Sequence, residues 1–260
     1  MRNHSMLFPL LCAALALPAG AAAETSRLGE VLVTAQKREE LTVDIPMTVS
    51  VLSERTLAVR GIRSLQDISF MIPGFTMRVD GPGSYELFMR GVGNLGGSEA
   101  VTSVYLDDTL TTLYLYRQLD LRALDIERVE VLKGPQGTLY GQGASAGTVR
   151  FISRRPVLNE FSARAEGEVS FIEKGDTNEK ITTVVNLPAV DDKLAFRIAA
   201  TGEWGGGWID QPEAGLKDAN NQDLANVRAQ MLWQPTDALE VRATAAVYSL
   251  DSQLGLDYEG

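Results

Sequence analysis

From residue 161 onward the chain alternates apolar and polar side chains in five successive rows. That alternation constrains its fold more than any other feature. Phe161, Ala163, Ala165, Gly167, Val169 and Phe171 alternate with Ser162, Arg164, Glu166, Glu168 and Ser170. Ile181, Thr183, Val185 and Leu187 form a second row, and Leu194, Phe196, Ile198, Ala200 and Trp204 a third, set against Arg197, Thr201 and Glu203. Val227, Ala229, Met231 and Trp233 alternate with Asn226, Arg228 and Gln230. Leu239, Val241, Ala243, Ala245 and Val247 alternate with Glu240, Arg242 and Thr244. A period of two demands strands with unlike faces.

Each row is about as long as a tilted strand needs to be to cross a bilayer. The connections at 188–193 and 234–238 are short, while 205–223 is long and polar. Short turns on one side and long loops on the other are the pattern of an outer-membrane barrel. Trp204, Trp208, Trp233 and Tyr248 sit near the row ends, where an aromatic girdle is expected. A soluble antiparallel sheet with one wet face also fits the rows alone; the lengths and turn asymmetry favour the membrane. Five strands do not close a barrel, which needs about 8 or more, and an open edge cannot face lipid. Residues 251–260 read as the start of another long loop. The expectation is the N-terminal part of a longer protein.

The other end of the chain reads as an export signal. Residues 1–23 carry Arg2, an apolar run from Met6 to Leu17, the breakers Pro18 and Gly20, and Ala21-Ala22-Ala23 as a cleavage site. A membrane anchor fits less well, because Pro9, Pro18 and Gly20 interrupt the helix. Leu11 before Cys12 argues against a lipid anchor there. Cleavage removes Cys12 and His4, the only cysteine and histidine. Disulfides, thiolate or imidazole metal sites, cysteine nucleophiles and histidine-based triads are then excluded. A net charge of −10 with no basic block excludes nucleic acid as a partner.

Between these ends lies a mixed pattern, 42–156. Residues 43–52 read as a strand. A short helix follows, with Ser53 at its N-cap and Gly61 past its end, and Ser64-Leu65-Gln66-Asp67 reads as a capping box before Ile68 and Ile72. Residues 75–79 and 85–90 flank a turn rich in glycine and proline and read as a hairpin. Residues 128–132 and 148–153 are further strands around a glycine-rich stretch, 134–147.

The run Asp125-Ile126-Glu127-Arg128-Val129-Glu130-Val131-Leu132-Lys133-Gly134-Pro135-Gln136-Gly137-Thr138-Leu139-Tyr140-Gly141, continuing through Gly143, Ala144, Ala146-Gly147 and Ile152-Ser153, resembles the plug signature of the TonB-dependent outer-membrane receptors. Arg90-Gly91-Val92-Gly93 and Val104-Tyr105-Leu106-Asp107-Asp108 resemble two further plug segments. Glu30, Val31, Leu32, Val33, Thr34 and Ala35, followed by Gln36-Lys37-Arg38, resemble that family's TonB box. The resemblance implies an α+β plug domain followed by the start of a transmembrane antiparallel β-barrel, which the family builds from about 22 strands. It implies residues 1–23 as signal peptide, 24–41 as a periplasmic leader with the TonB box, 42–156 as plug and 157–260 as the first five or so barrel strands.

The implied task is uptake across the outer membrane of a Gram-negative cell, of a scarce nutrient such as a ferric siderophore, driven by TonB and its inner-membrane complex. A leader of 18 or so residues implies no added signalling domain. The extended, β-branched TonB box suits docking by strand addition; a leader that touches nothing is the plainer reading. Arg90, Arg128 and Glu130 are expected to meet the barrel, the last two pairing with residues such as Arg164, Glu166, Glu168 or Arg197. Ligand contacts are expected from Arg78, Asp80, Tyr85, Asn94, Tyr114, Tyr116 and Arg117, whose Arg and Tyr suit an anionic or aromatic chelate. Ordinary loop solvation explains them nearly as well.

No cofactor or resident metal is implied. Asp107-Asp108 and Asp191-Asp192 lack the surrounding oxygens of a cation loop. Gly143-Ala144-Ser145-Ala146-Gly147 matches a nucleophile elbow, but histidine is missing and a strand, not a helix, should follow. Spacing also argues against a dinucleotide loop in Gly141–Gly147. The alternatives to an importer are a soluble periplasmic plug-like binding module, a non-functional receptor fragment, or an exported hydrolase using Ser145.

Overall fold

The computed structural model describes residues 32–33, 40–41, 47–81, 84–94, 99–112, 118–119, 121–173, 175–212 and 215–252. The expected export signal at 1–23 lies outside them, as do Glu30, Val31, Thr34 and Ala35 of the expected TonB box. Leu32–Val33 (β1) pairs antiparallel with Glu40–Leu41 (β2).

The N-terminal domain begins with Thr48–Ser53 (β3) and two short helices. Glu54–Arg60 (α1) starts where Ser53 Oγ accepts from Thr56 N. It ends at Gly61, whose φ of +62° fits a residue without Cβ. Leu65–Met71 (α2) is opened by the expected box: Asp67 N donates to Ser64 Oγ and Ser64 N donates to Asp67 Oδ2. The hairpin Phe75–Gly81 (β4) and Ser84–Met89 (β5) follows. Then come Thr102–Leu106 (β6), Thr109–Leu110 (β7), Ile126–Lys133 (β8), Gly137–Tyr140 (α3) and Gly147–Ser153 (β9). These strands form one mixed sheet, ordered β3-β8-β9-β6-β7, in which β6 and β9 are parallel.

The single turn of α3 falls in the stretch read as glycine-rich turns. It closes on Gln136 O and is held by burying Tyr140. Parity divides the sheet. Val104, Val129, Val131, Val149 and Phe151 point to one face, where α1, α2 and the hairpin cover them in the main core. Tyr105, Leu132 and Tyr140 pack on the other, with Glu130 and Arg150 buried beside them. Gly147 sits where β8 and β9 close up, and a Cβ there would lie 2.5 Å from Leu132 O.

The second part is a five-stranded antiparallel sheet: Ser162–Phe171 (β10), Thr177–Val190 (β11), Leu194–Gly205 (β12), Gln222–Thr236 (β15) and Leu239–Ser252 (β16), ordered as in the sequence. It is not closed. The long connection holds its own small hairpin, Ile209–Gln211 (β13) with Leu216–Ala219 (β14), which the polar composition had hidden. Asp251 and Ser252 still belong to β16 rather than to a loop; residues 253–260 lie outside the described chain.

The apolar rows point away from the N-terminal domain: Phe171 is 82% and Val247 70% exposed. The opposite row, including Asn186, Arg197, Arg228 and Gln230, is buried against the domain. Trp233 is paired with Leu194, ten positions below Trp204 on β12. At strand rise and tilt this separates the two indoles by about 25 Å, the height of a lipid-facing band. Tyr248 does not join that girdle. It pairs with Asn226 and so shares the inward face.

Gly147→Ala should lower stability by about 1–3 kcal/mol, because backbone and Met89 must both yield. Gly137→Ala, with nothing within 4 Å of its Cβ, should shift it by less than about 0.5 kcal/mol. Denaturant midpoints of the two variants measure the difference.

Candidate functional site

The N-terminal domain meets the inward face of the long sheet, here called the wall, through residues 121–125. Ala123 N donates to Arg63 O, which ties this segment to the start of α2. Asp125 takes φ +51°, a left-handed conformation that Asp tolerates better than most residues. The turn aims its carboxylate at β12. Arg197 grips it with both prongs, Nε to Oδ2 at 2.6 Å and Nη2 to Oδ1 at 2.7 Å. Arg228, on the neighbouring β15, donates to the carbonyls of Leu124 and Asp125 at 2.8 and 3.0 Å. Both arginines are buried, and Leu124 packs between Val184 and Ala199 of the wall.

A second layer lies nearer the long-loop end of the strands, with the signs reversed. There the domain supplies the cations and the wall the anions. Arg63 Nη1 meets Glu168 Oε1 at 2.7 Å, and Arg122 Nε lies 3.0 Å from Glu203 Oε2. Lys180 neutralises the other oxygen of Glu203 at 2.8 Å. A cavity of about 170 Å³ separates the layers, lined by Arg63, Arg122, Asp125, Glu166, Glu168 and Lys180 among others. Ser153 Oγ adds a neutral contact: it donates to Asp107 Oδ2 and accepts from Gln230 Nε2 of the wall. The linker is fixed by buried Asn186, which accepts from Val157 N and donates to Val157 O and Glu160 O.

A separate charged cluster sits inside the N-terminal sheet. Glu130 is opposite Arg150 in the β8–β9 register, and the two bond at 2.7 Å. Arg128, two residues along the same face, donates to the other Glu130 oxygen at 2.8 Å. The Arg150 guanidinium lies 5.6 Å from the centre of the Tyr140 ring. Burial pushes the Tyr140 hydroxyl up to about 12 and also raises Tyr105, whose hydroxyl donates to Tyr140 O. Burial, reinforced by nearby Arg90, lowers the Lys133 ammonium, which donates to Pro73 O.

Arg90, Arg128 and Glu130 are thus engaged within the N-terminal domain, Arg90 through Thr48 Oγ1 at 2.9 Å. Among the described residues, contacts that cross to the wall come from Arg63, Arg122, Leu124, Asp125 and Ser153. Of the four wall residues expected as partners, Glu168 and Arg197 receive the domain, while Arg164 and Glu166 lie 3.6 Å from each other. The signal that would have found Asp125 is the pair of arginines, Arg197 and Arg228, on inward rows of adjacent strands.

Among the expected ligand contacts, Arg78 pairs with Glu86 across the hairpin at 3.0 Å. Tyr85 and Asn94 are buried, Tyr85 in the main core, so neither lines an open surface. Tyr114, Tyr116, Arg117 and the Asp80 side chain lie outside the described residues. Leu32 and Val33 of the expected TonB box form β1; its other four residues lie outside. Gly143–Gly147 leads directly into β9, so no helix follows Ser145.

Residues 42–148 match the family model for the TonB-dependent receptor plug domain. The chain is similar to the pesticin receptor of Yersinia pestis, 31% identical over 159 residues that cover 58% of this chain and 23% of that protein. It is similar to the catecholate siderophore receptor Fiu of Escherichia coli K12, 28% identical over 161 residues covering 58% of this chain and 20% of that one. Among solved structures, the ferric yersiniabactin uptake receptor FyuA of Yersinia pestis superposes with a TM-score of 0.66 at 19% identity. The match covers 78% of this chain and 32% of that one. The chain therefore spans about a fifth of the length of these curated relatives.

Asp125→Asn should strip Arg197 of its buried counter-charge and cost about 3–5 kcal/mol, read from the denaturant midpoint. The second expectation concerns pH. Tyr140 has a folded pKa above its unfolded value, so between about pH 10 and 12 the unfolded chain releases a proton that the folded chain keeps. Stability should fall over that window, by up to about 2–3 kcal/mol from this group. Tyr140→Phe should flatten that part of the profile.

Proposed function

The chain belongs to the TonB-dependent receptors through its plug domain, and on that premise we propose that it is the plug and first barrel strands of an outer-membrane importer of iron chelates. Residues 42–156 form the plug and the barrel starts at 157. Residues 1–23 direct export and are removed, and residues 24–41 carry the TonB box.

One observation carries the reading. The plug touches the wall through hydrogen-bonded charges around a polar gap, and almost all its apolar burial is internal. An interface of that kind is specific in position yet separable without exposing a large apolar surface, because freed charges are taken up by water. A structural plug needs no such property; a plug that must move for each imported ligand does. The outward apolar rows support the membrane setting, since in water such a face invites aggregation.

The TonB partner is supported by the backbone of the box segment. Leu32 and Val33 already make a short antiparallel ladder with Glu40 and Leu41, so the segment takes up strand pairing. TonB would add to it in the same manner. The cargo is proposed from the relatives, whose names give a catecholate siderophore and ferric yersiniabactin. No covalent chemistry is assigned.

The test is uptake of radiolabelled iron by iron-starved cells carrying the receptor as their sole importer. Deleting Glu30, Val31, Leu32, Val33, Thr34 and Ala35 should abolish accumulation and leave energy-independent surface binding intact. Normal accumulation after the deletion would refute the assignment. In the same cells, changing Tyr114 and Arg117 together should weaken surface binding by about ten-fold; unchanged affinity removes both from the ligand site.

A further inference from the structure

The expected TonB box does not stand alone. Its strand β1 is paired with β2 in a two-stranded antiparallel ribbon, with Leu32 opposite Leu41 and Val33 opposite Glu40. Six residues, 34–39, join the two strands. Six more, 42–47, separate β2 from β3, the first strand of the plug sheet. β2 thus lies outside the box, between it and the plug.

A partner that binds by strand addition needs backbone donors and acceptors along one edge of its target. β2 could take the edge that such a partner needs, or it could hold β1 extended while the partner uses the other edge. The ladder favours the second. Successive residues of a strand offer their N–H and C=O groups to opposite edges. β2 occupies one edge of β1, and among the described residues no strand occupies the other. An incoming strand therefore has a place beside β1 without displacing β2.

The gain is one of preorganisation. Fixing the backbone of one residue lowers an equilibrium constant by about five- to thirty-fold. Where β1 is already extended, that cost is met before the partner arrives, and a target held in its bound form is bound more tightly. An isolated two-stranded ribbon is marginally stable in water, and a third strand is what it lacks. The ribbon and the incoming strand therefore stabilise each other.

We propose that Glu40 and Leu41 are positioning residues for the TonB contact. They hold the box as a ready-made strand with one open edge, and TonB completes a three-stranded sheet there. The proposal rests on the TonB-box reading above and adds to it a second segment, outside the box, that sets the strength of the contact. Main-chain groups make the ladder, so residues 40 and 41 act through their capacity to stay extended and to donate.

The test measures binding of the periplasmic domain of TonB to the full-length receptor in detergent micelles. Glu40→Pro combined with Leu41→Pro removes two N–H donors from β2 and leaves residues 30–35 unchanged. It should weaken binding by about ten-fold. Glu40→Thr combined with Leu41→Val raises strand propensity and should tighten binding by about two- to three-fold. A segment that only spaced the box from the plug would respond to neither. Heat-modifiable mobility on a gel checks that the variants are folded. Unchanged affinity in the Pro variant overturns the proposal. Tighter binding in the Pro variant also overturns it, since β2 would then compete with TonB. Deletion of residues 30–35 separates this inference from the reading beneath it. Binding lost on deletion but insensitive to the changes at 40 and 41 sinks only the role of β2, whereas binding that survives the deletion sinks the box itself.

Discussion

A bidentate ion pair between Asp125 and Arg197, buttressed by Arg228, fixes where the plug sits in the wall. It joins the turn before β8 to the middle of the long sheet, and β8 is a central strand of the plug sheet. Orientation follows from the second layer, whose polarity is opposite. A plug displaced along the wall would bring Asp125 toward Glu203, or Arg122 toward Arg197. Like charges would then face each other across a low-dielectric gap, which is costly. The reversed layers therefore select one register, although buried ion pairs are poor sources of net stability. Positioning and strength are separate properties here, and the interface supplies mainly the first.

The plug supplies its own stability. Its main core runs from Leu52 through Phe151, closed by two capped helices and a hairpin over one face of the sheet. On the opposite face, Glu130, Arg128 and Arg150 satisfy one another beneath Tyr105 and Tyr140. Each partner is on a strand whose register the backbone ladder already sets. Glu130 is thereby paired within the plug sheet, on strands β8 and β9.

Much of this was legible in the sequence, for identifiable reasons. Local signals worked where one residue type meets one backbone need: Ser53, Gly61 and the Ser64–Asp67 box mark their helix ends at the positions observed. Period two worked for the wall, because each strand has a lipid-type face and a polar face. It failed at Tyr248, where residue type suggested a girdle but strand parity turns the ring inward. It also missed α3, a single turn too short to show periodicity. The plug–wall contacts were the least legible. Arg128 and Glu130 stand out as charges on an apolar strand, yet their partner Arg150 lies on the adjacent strand of the same sheet. Asp125 occupies a turn and gives no periodic signal. Only the paired arginines on inward rows pointed to something anionic opposite them.

Apolar surface is distributed unevenly between the two parts of the chain. Apolar burial is concentrated in the plug core, and the outward rows of the wall present a continuous apolar face, whereas the exposed apolar residues of the N-terminal domain, such as Val59 and Phe70, are scattered. The interface between plug and wall is left almost wholly polar, with Leu124 against Val184 and Ala199 as its small apolar contact. If that interface were apolar, moving the plug would expose greasy surface on both sides, at about 25 cal/mol for every Å². If it were merely hydrated, nothing would define the register. Charges of reversed sign around a polar gap avoid both outcomes: little apolar surface is committed to the interface, and the paired charges define one register.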